Sequence, residues 1–289
     1  MSEYCNRCGL PHDGDCLRKQ PARHIVMFSG GIGSWASAYR IIEQHGPDHV
    51  TLLFCDVGGP RTSGHMGEDE DCYRFIADAT FQLGARLVTL NTGEDIWATY
   101  KRRRMIGSSR IAPCSTELKQ KPARQWLAEN ASPDDTIVIG IDWTETHRIP
   151  AIQAAYAPHP VVFPMAEKPY LDKDDMIALA RENGLEPPRM YAAKYPHANC
   201  GGFCCRAGHA QFRLLLRENR DRFLYHEGKE QELREHLGKD VAVLRDHRAG
   251  GVPLTLRTFR ERIDSDQQME LFDGDDWGGC ACFTEEEDQ

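Results

Sequence analysis

A glycine- and serine-rich loop near the start of the sequence constrains the fold more than any other feature. The loop at residues 29–34 reads Ser-Gly-Gly-Ile-Gly-Ser; an apolar run precedes it at residues 25–28, and a segment with helical periodicity follows. This order predicts a buried strand, a tight turn and a helix. Glycines let the backbone approach an anion closely, and a helix N-terminus presents N–H groups to it. We therefore predict a phosphate cradle formed by Ser29, Gly30, Gly31, Gly33 and Ser34.

The spacing within this loop excludes two common nucleotide-binding motifs. No Gly-Lys-Ser/Thr follows the loop, so it is not a Walker A motif, and Gly30-Gly31-x-Gly33 lacks the spacing of the dinucleotide fingerprint. The alternative to a phosphate cradle is a strand-to-helix turn without a ligand, because glycine-rich turns are common.

Short apolar runs alternate with helical patterns along the first half of the chain. The runs at 50–55, 86–90, 136–141 and 161–163 are typical of buried strands, whereas residues 35–42 and 72–83 and the segment after Pro122 are typical of helices. Asp172 and Gly184 flank a further predicted helix. The alternation predicts an α/β fold with a doubly wound, mostly parallel sheet and ligands at the carboxyl ends of its strands.

The same pattern divides the chain into three regions. We predict a Cys-rich N-terminal segment at residues 1–22 and a nucleotide-binding domain at 23–165. A Cys-containing, mainly helical region with an acidic tail is predicted at 166–289.

Charge is distributed unevenly along the chain. The net charge is −9, which argues against general coating of nucleic acid, yet residues 101–124 carry eight Lys and Arg against one Glu. Such a basic segment suits a small polyanion or a short nucleic-acid contact, and a solvated charged face is the alternative. No run of 18 apolar residues occurs, and the first 19 residues are polar. We therefore expect a cytoplasmic protein with no membrane partner.

Three later motifs add charged residues to the predicted site. Asp56 ends an apolar run, where a carboxylate can contact a ribose hydroxyl or Mg²⁺, although a turn residue is the alternative. Pro122 suits the first turn of a helix, which would present Lys119 and Arg124 near an anion-binding N-terminus. Arg148 follows another predicted strand, and its guanidinium can bind phosphate or sulfate oxygens bidentately.

These four motifs, taken in order, resemble the phosphoadenosine phosphosulfate (PAPS) reductase family of the PP-loop ATP pyrophosphatase superfamily. The resemblance implies an adenine nucleotide alpha-hydrolase-like fold, ATP or PAPS as the nucleotide, and Lys119 and Arg148 as catalytic cations. Two features depart from the family. Gly33 stands where ATP pyrophosphatases usually have Asp, and the Glu-Cys-Gly-Leu-His-type tail is missing. Cys280 and Cys282 are the cysteines that the tail offers as catalytic candidates.

Eleven cysteines in a chain without a secretory signal favour metal binding or catalysis over disulfides. Four thiolates on convergent loops can hold a [4Fe–4S] cluster or a zinc ion. Iron–sulfur sulfonucleotide reductases resemble this chain in pairing a Cys of the Lys- and Pro-containing motif with a later Cys cluster, and this resemblance implies Cys114, Cys200, Cys204 and Cys205 as ligands, with Cys280 or Cys282 as alternatives for the fourth. Buried, redox-inert thiols are the competing interpretation.

The N-terminal segment carries a second candidate metal site. Its ligands would be Cys5, Cys8, His12 and Cys16. This spacing is typical of a compact zinc knuckle, which could also contact nucleic acid. The alternative is a flexible tail.

These features favour a nucleotide-using enzyme that handles sulfur. Two reactions fit: reduction of an adenylated sulfate to sulfite, or use of ATP to adenylate an acceptor before thiolation. The expected partners are a small-molecule nucleotide, a protein that donates sulfur or electrons, and a nucleic-acid acceptor. The alternative function is nucleotide sensing or nucleic-acid binding with a degenerate PP-loop.

Overall fold

A five-stranded parallel sheet forms the centre of the protein. The computed structural model describes residues 22–58, residues 67–265 and Trp277. The strands are β1 (His24–Met27), β2 (Val50–Asp56), β3 (Arg86–Asn91), β4 (Thr136–Val138) and β5 (Val161–Val162). They lie in the order β3-β2-β1-β4-β5, and every neighbouring pair is parallel. The predicted α/β fold with a parallel, doubly wound sheet is thereby confirmed.

Eleven α-helices are formed by the described residues. They are α1 (Ile32–His45), α2 (Glu70–Leu83), α3 (Ile96–Arg103), α4 (Pro113–Ser115), α5 (Lys121–Asn130), α6 (Ile149–Tyr156), α7 (Lys173–Glu182), α8 (Arg189–Ala192), α9 (His209–Glu218), α10 (Arg220–Leu237) and α11 (Leu256–Asp264). A π-helical stretch, Thr116–Gln120, joins α4 to α5, and 3₁₀ turns occupy Trp143–Arg148 and Asn199–Gly202. A hairpin of β6 (Leu244–Asp246) and β7 (Val252–Leu254) was not foreseen from the sequence.

Alternation along the strands explains how both faces of the sheet are covered. On β1, Val26 packs into a cluster with α1, α2 and α7, whereas Ile25 and Met27 pack against α5 and α6 on the other face. Successive residues of a strand point to opposite faces, so an apolar run can bury both sides. Trp35 on α1 and Ile152 on α6 are fully buried in these two layers.

Local capping rules place α7 where the sequence predicts it. The Asp172 side chain accepts the backbone N–H of Asp175, and the Asp175 side chain accepts the N–H of Asp172 in return. This reciprocal arrangement satisfies two N–H groups at the helix start. Gly184, with φ of +73°, follows the helix end in a conformation that favours glycine.

A third apolar cluster lies under the C-terminal helices. Trp97 of α3, Phe212 of α9, Phe223 of α10 and Phe259 of α11 are buried there together with Phe203. This cluster fixes the chain around residues 200–207 beside α3, and so positions the later cysteines.

No helix within the described ranges combines the length and the apolar composition that a bilayer crossing needs.

Candidate active site

The strand order reverses between β1 and β4, and a cleft opens at their carboxyl ends. In open α/β sheets ligands bind at such a switch point, because neighbouring connections leave on opposite faces there. The cleft has a volume of about 150 Å³. The glycine-serine loop forms one wall and residues 139–142 form the opposite wall. We call this space the switch-point cleft.

The loop has the backbone geometry of an anion cradle. Gly30 adopts φ of +76°, and a Cβ atom there would lie 2.8 Å from the Ile76 side chain, so this position requires glycine. Ser34 Oγ donates to the Gly31 carbonyl over 2.8 Å and closes the turn. Gly31 caps α1 without a side-chain hydrogen bond, and the Tyr191 hydroxyl, which also lines the cleft, accepts the Ile32 N–H over 3.0 Å.

The two walls of the cleft touch through their backbones. A Cβ atom at Gly140 would lie 3.1 Å from both the Gly33 carbonyl oxygen and the Ser34 Cα atom. A Cβ atom at Gly33 would in turn lie 3.3 Å from the Gly140 carbonyl oxygen. Gly33, where the resembling ATP pyrophosphatases usually have Asp, thus lies where the loop and the segment after β4 come closest. Strand β4 ends at Val138, three residues before the predicted end, because residues 139–141 line the cleft instead.

Two cations line the switch-point cleft. Arg148 was predicted, and its Nη1 donates to the Glu145 carboxylate, which also lines the cleft. Lys173, the first residue of α7, was not predicted, because no motif surrounds it. Its Nζ donates to the Pro196 carbonyl, and burial lowers the pKa of its ammonium group. Burial also lowers the pKa of His197 to about 4, so this third basic side chain is neutral at pH 7.

Asp56 and Arg124 lie elsewhere than the switch-point cleft. Asp56 Oδ1 accepts the hydroxyl of Tyr73 over 2.7 Å, and its Oδ2 accepts Asn91 Nδ2 over 3.3 Å. Arg124 lies on α5, and its positive charge partly opposes the rise that burial causes in the pKa of Tyr156. Neither residue is among those that line the cleft, so any contact of these two side chains with a nucleotide stays a prediction.

Lys119 points into a second pocket. It lies in the π-helical stretch, which is a frequent device at functional sites, and it is 4% exposed. Lys119 Nζ is 3.6 Å from Glu68 Oε1, and Glu68 is 3% exposed. Burial raises the pKa of the Glu68 carboxyl, and the Lys119 charge opposes that rise. Sequence motifs did not single out Glu68, because the pairing joins residues that are far apart in the chain.

Four cysteines line this second pocket, which we call the thiol pocket. They are Cys114, Cys200, Cys204 and Cys205, and Lys119 lines the same space. Cys114 Sγ lies 3.8 Å from Cys205 Sγ and accepts the Tyr100 hydroxyl over 3.4 Å. The hydrogen bond from Cys205, together with that from Tyr100 and the charge of Lys119, lowers the pKa of Cys114 to about 7. The sequence-predicted set of four thiols therefore lies in one place.

The thiol pocket has the donor chemistry of a metal centre. None of the cysteines within the described residues forms a disulfide. Two thiolates bound to one tetrahedral zinc, each about 2.3 Å from the metal, would lie about 3.8 Å apart, which equals the separation of Cys114 and Cys205. Within the described residues, however, no group of three or more His, Cys, Asp or Glu side chains is already arranged as a metal site. The donor set fits in type and number.

The remaining predicted metal and catalytic residues lie outside the described residues. These are Cys5, Cys8, His12 and Cys16 of the N-terminal segment and Cys280 and Cys282 of the tail. Their roles stay predictions.

One peptide unit separates the switch-point cleft from the thiol pocket. Asn199 lines the cleft, and the next residue, Cys200, lines the pocket. Cys200 adopts φ of +54°, an uncommon conformation for a residue other than glycine. Its N–H donates to the Glu68 carboxylate, and Arg222 Nη1 donates to the Gly67 carbonyl over 2.9 Å. Backbone strain of this kind persists only where surrounding contacts hold it, and it clusters at functional sites.

Comparisons with known proteins give matches among solved structures. No protein-family model and no curated protein matches the sequence. The PAPS reductase of Candida auris, in a phosphate complex, is 12% identical to this chain with a TM-score of 0.39, over 59% of this chain and 78% of the other. The U34-tRNA thiolase NcsA of Methanococcus maripaludis, with its [4Fe-4S] cluster, is 14% identical with a TM-score of 0.42, over 75% of this chain and 74% of the other.

Proposed function

We propose that this protein is an adenine-nucleotide-dependent enzyme that handles sulfur, with the nucleotide phosphates in the switch-point cleft and the sulfur chemistry in the thiol pocket. The observation that supports this most is the adjacency of the two spaces through Asn199 and Cys200. A group activated in the cleft would have only a short distance to cross before it met a thiol.

The residues of the cleft have roles that follow from their charge. The N–H groups at the start of α1 would bind phosphate oxygens, aided by the helix dipole. Arg148 and Lys173 would stabilise the negative charge that develops on a departing pyrophosphate. Because Glu145 is paired with Arg148, the guanidinium is held in the cleft before the nucleotide arrives.

The thiol pocket would hold a metal centre through its four cysteines, as either a [4Fe–4S] cluster or zinc. A bound centre of this kind would handle sulfur or electrons. The chain's own contribution is to keep thiolates available: Tyr100 and Cys205 donate hydrogen bonds to Cys114, and Lys119 adds a positive charge nearby. Glu68 holds Lys119 in place.

Of the two reactions that fit, ATP-dependent activation of an acceptor is the one we propose. An acceptor oxygen would attack the α-phosphorus of ATP, and pyrophosphate would leave. A sulfur nucleophile would then displace AMP from the acceptor. Arg148 and Lys173 support this choice, because both line the cleft beside the glycine-serine loop, where they would neutralise a departing pyrophosphate.

Product analysis tests this proposal. Purified protein is incubated with ATP, with and without bulk RNA as an acceptor, in the presence of sodium sulfide as the sulfur nucleophile, and separately with PAPS and a dithiol reductant; pyrophosphate, AMP and sulfite are then measured. We expect pyrophosphate and AMP from ATP, and an approximately 100-fold slower release in Arg148→Met, since that variant lacks a cation in the cleft. Arg86→Met, at the amino end of β3, is the matched control and should react at the normal rate.

Other products would contradict the proposal. Sulfite from PAPS without pyrophosphate from ATP would assign the chain to sulfate reduction. Tight nucleotide binding without any product would favour the sensing function. Metal analysis and a visible spectrum of anaerobically purified protein would identify iron or zinc in the thiol pocket.

A further inference from the structure

Positive charge is concentrated on segments that also contribute residues to the lining of the thiol pocket. It comes from three segments: the end of α3 with the residue that caps it, the loop before α4 with the start of α5, and the chain after Cys205. Its members are Lys101, Arg102, Arg103, Arg104, Arg110, Lys121 and Arg206. We call this set the basic surface. It stands out because the whole chain has a net charge of −9.

Contacts tie each segment of the basic surface to the thiol pocket. Ile96 of α3 lines the pocket, and Tyr100 of the same helix donates to Cys114. Ala112, two residues after Arg110, lines it as well, and so does Arg206 itself. The three segments therefore meet around one pocket rather than along one stretch of sequence.

Few carboxylates balance these cations. Glu117 lies within 4 Å of three of them, at 2.8 Å from Lys121, 3.3 Å from Arg102 and 3.7 Å from Arg103. Glu94 makes a second contact with Arg102, at 2.9 Å. One carboxylate shared by three cations leaves an excess of positive charge, and these contacts fix it in position.

The helix dipole explains only part of this arrangement. Cations are stabilised in the last turn of a helix, which accounts for Lys101, Arg102 and Arg103 at the end of α3. It does not account for Arg110 or Arg206, which lie on other segments. Lys101, Arg104 and Arg110 are exposed, and within the part of the chain that the structure describes no ion pair neutralises them. Like charges held together cost stability unless an anion neutralises them.

We propose that the basic surface binds the phosphate backbone of a single-stranded nucleic acid and brings an unpaired base to the thiol pocket; this deepens the proposed function by naming its acceptor. The pocket has a volume of only about 30 Å³, so it admits the edge of a small group and not a folded protein surface. In a nucleic acid every base lies within one nucleotide of a phosphate. Contacts between phosphates and the cations thus bring a base edge to the thiols, whereas a base within a duplex is stacked and inaccessible.

Fluorescence anisotropy with a labelled 20-nucleotide RNA of mixed sequence tests this proposal. The variant is the triple substitution Lys101→Gln, Arg104→Gln and Arg110→Gln. For a single strand, the logarithm of the binding constant falls by about 0.7 per neutralised phosphate for each tenfold rise in salt concentration. Loss of three contacts should therefore lower the salt slope by about 2 and weaken binding about 100-fold at 0.1 M salt.

A matched triple variant controls for the change in charge. Arg86→Gln, Lys239→Gln and Arg248→Gln remove the same number of exposed cations from elements that line neither the switch-point cleft nor the thiol pocket. This control should bind the RNA as the natural protein does. Equal weakening in both triple variants would overturn the proposal, because it would indicate a general charge effect.

Further probes separate the remaining outcomes. The same RNA as a duplex should bind more weakly than the single strand, and tighter duplex binding would contradict the role of an unpaired base. A poly-glutamate peptide that binds as tightly as the RNA would instead indicate an acidic protein partner. Calorimetry with ATP is run on every variant. In the natural protein, ATP binding without RNA binding would refute this inference alone, whereas absence of ATP binding would refute the proposed function.

Discussion

A methyl group added at Gly140 should separate the two walls of the switch-point cleft. The added Cβ would lie 3.1 Å from the Gly33 carbonyl oxygen and from Ser34 Cα, whereas ordinary van der Waals contacts at such a position are 3.4–4 Å. Both neighbours are backbone atoms, so no side-chain rotation can relieve the contact. The loop of residues 29–34 or the segment after β4 must therefore move by several tenths of an ångström.

The size of the effect follows from two costs. Overpacking of this kind destabilises a fold by about 1–3 kcal/mol. A displaced loop also points its N–H groups away from the phosphates, and a comparable loss of binding free energy, about 1.4–2.7 kcal/mol, corresponds to 10- to 100-fold weaker binding. We therefore expect Gly140→Ala to lower thermal stability and to raise the dissociation constant for ATP by that factor.

Calorimetric titration with ATP, together with thermal unfolding, measures both costs. Gly228→Ala is the matched control, because Gly228 lies within α10 and nothing lies within 4 Å of an added Cβ there. This control should bind ATP normally and gain about 0.5–1 kcal/mol of stability, since alanine favours a helix. If Gly140→Ala bound ATP as tightly as the natural protein, the cleft would not be the phosphate site.

Three further predictions concern buried titratable groups. Glu68→Gln should lower the free energy of unfolding by about 3–5 kcal/mol in urea titrations, because it leaves Lys119 buried without its counterion; Glu68→Gln with Lys119→Met should restore much of that loss. Burial raises the pKa of Glu230 to about 7 from an ordinary 4.5, so the folded state holds its proton more tightly. Stability should accordingly fall by about 3 kcal/mol as pH rises from 4.5 to 7 and then level off, and Glu230→Gln should lack this slope. In metal-free protein, alkylation of Cys114 should show a midpoint near pH 7, and Tyr100→Phe should move that midpoint upward, as mass spectrometry would detect.

Much of the candidate site could be inferred from short stretches of sequence. Ser29, Gly31, Gly33, Ser34 and Arg148 were all predicted, and all of them line the switch-point cleft. They lie in the segments that follow β1 and β4, and in a parallel sheet the segments after neighbouring strands meet at the same edge. The four cysteines were grouped by the resemblance to iron–sulfur sulfonucleotide reductases, and the structure brings them to one pocket.

Other parts of the site gave no local clue. No ligand-binding motif surrounds Lys173 in the sequence. Lys173 reaches the cleft because α7 packs beside α1. Lys119 pairs with Glu68, and no recognisable motif surrounds Glu68 in the sequence. The sequence predicted that Lys119 lies near an anion at a helix N-terminus. In the structure Lys119 belongs to the π-helical stretch and lines the pocket of the thiols.

The sequence by itself determined the strand–loop–helix unit, the alternating strands and the capped start of α7, because each depends on residues within a few positions of one another. Tertiary structure alone decided that Asn199 and Cys200 separate two pockets and that cations from three segments surround the thiols. Those relations join residues more than a hundred positions apart, and they exist only because the order of the strands and the packing of the C-terminal helices bring them together.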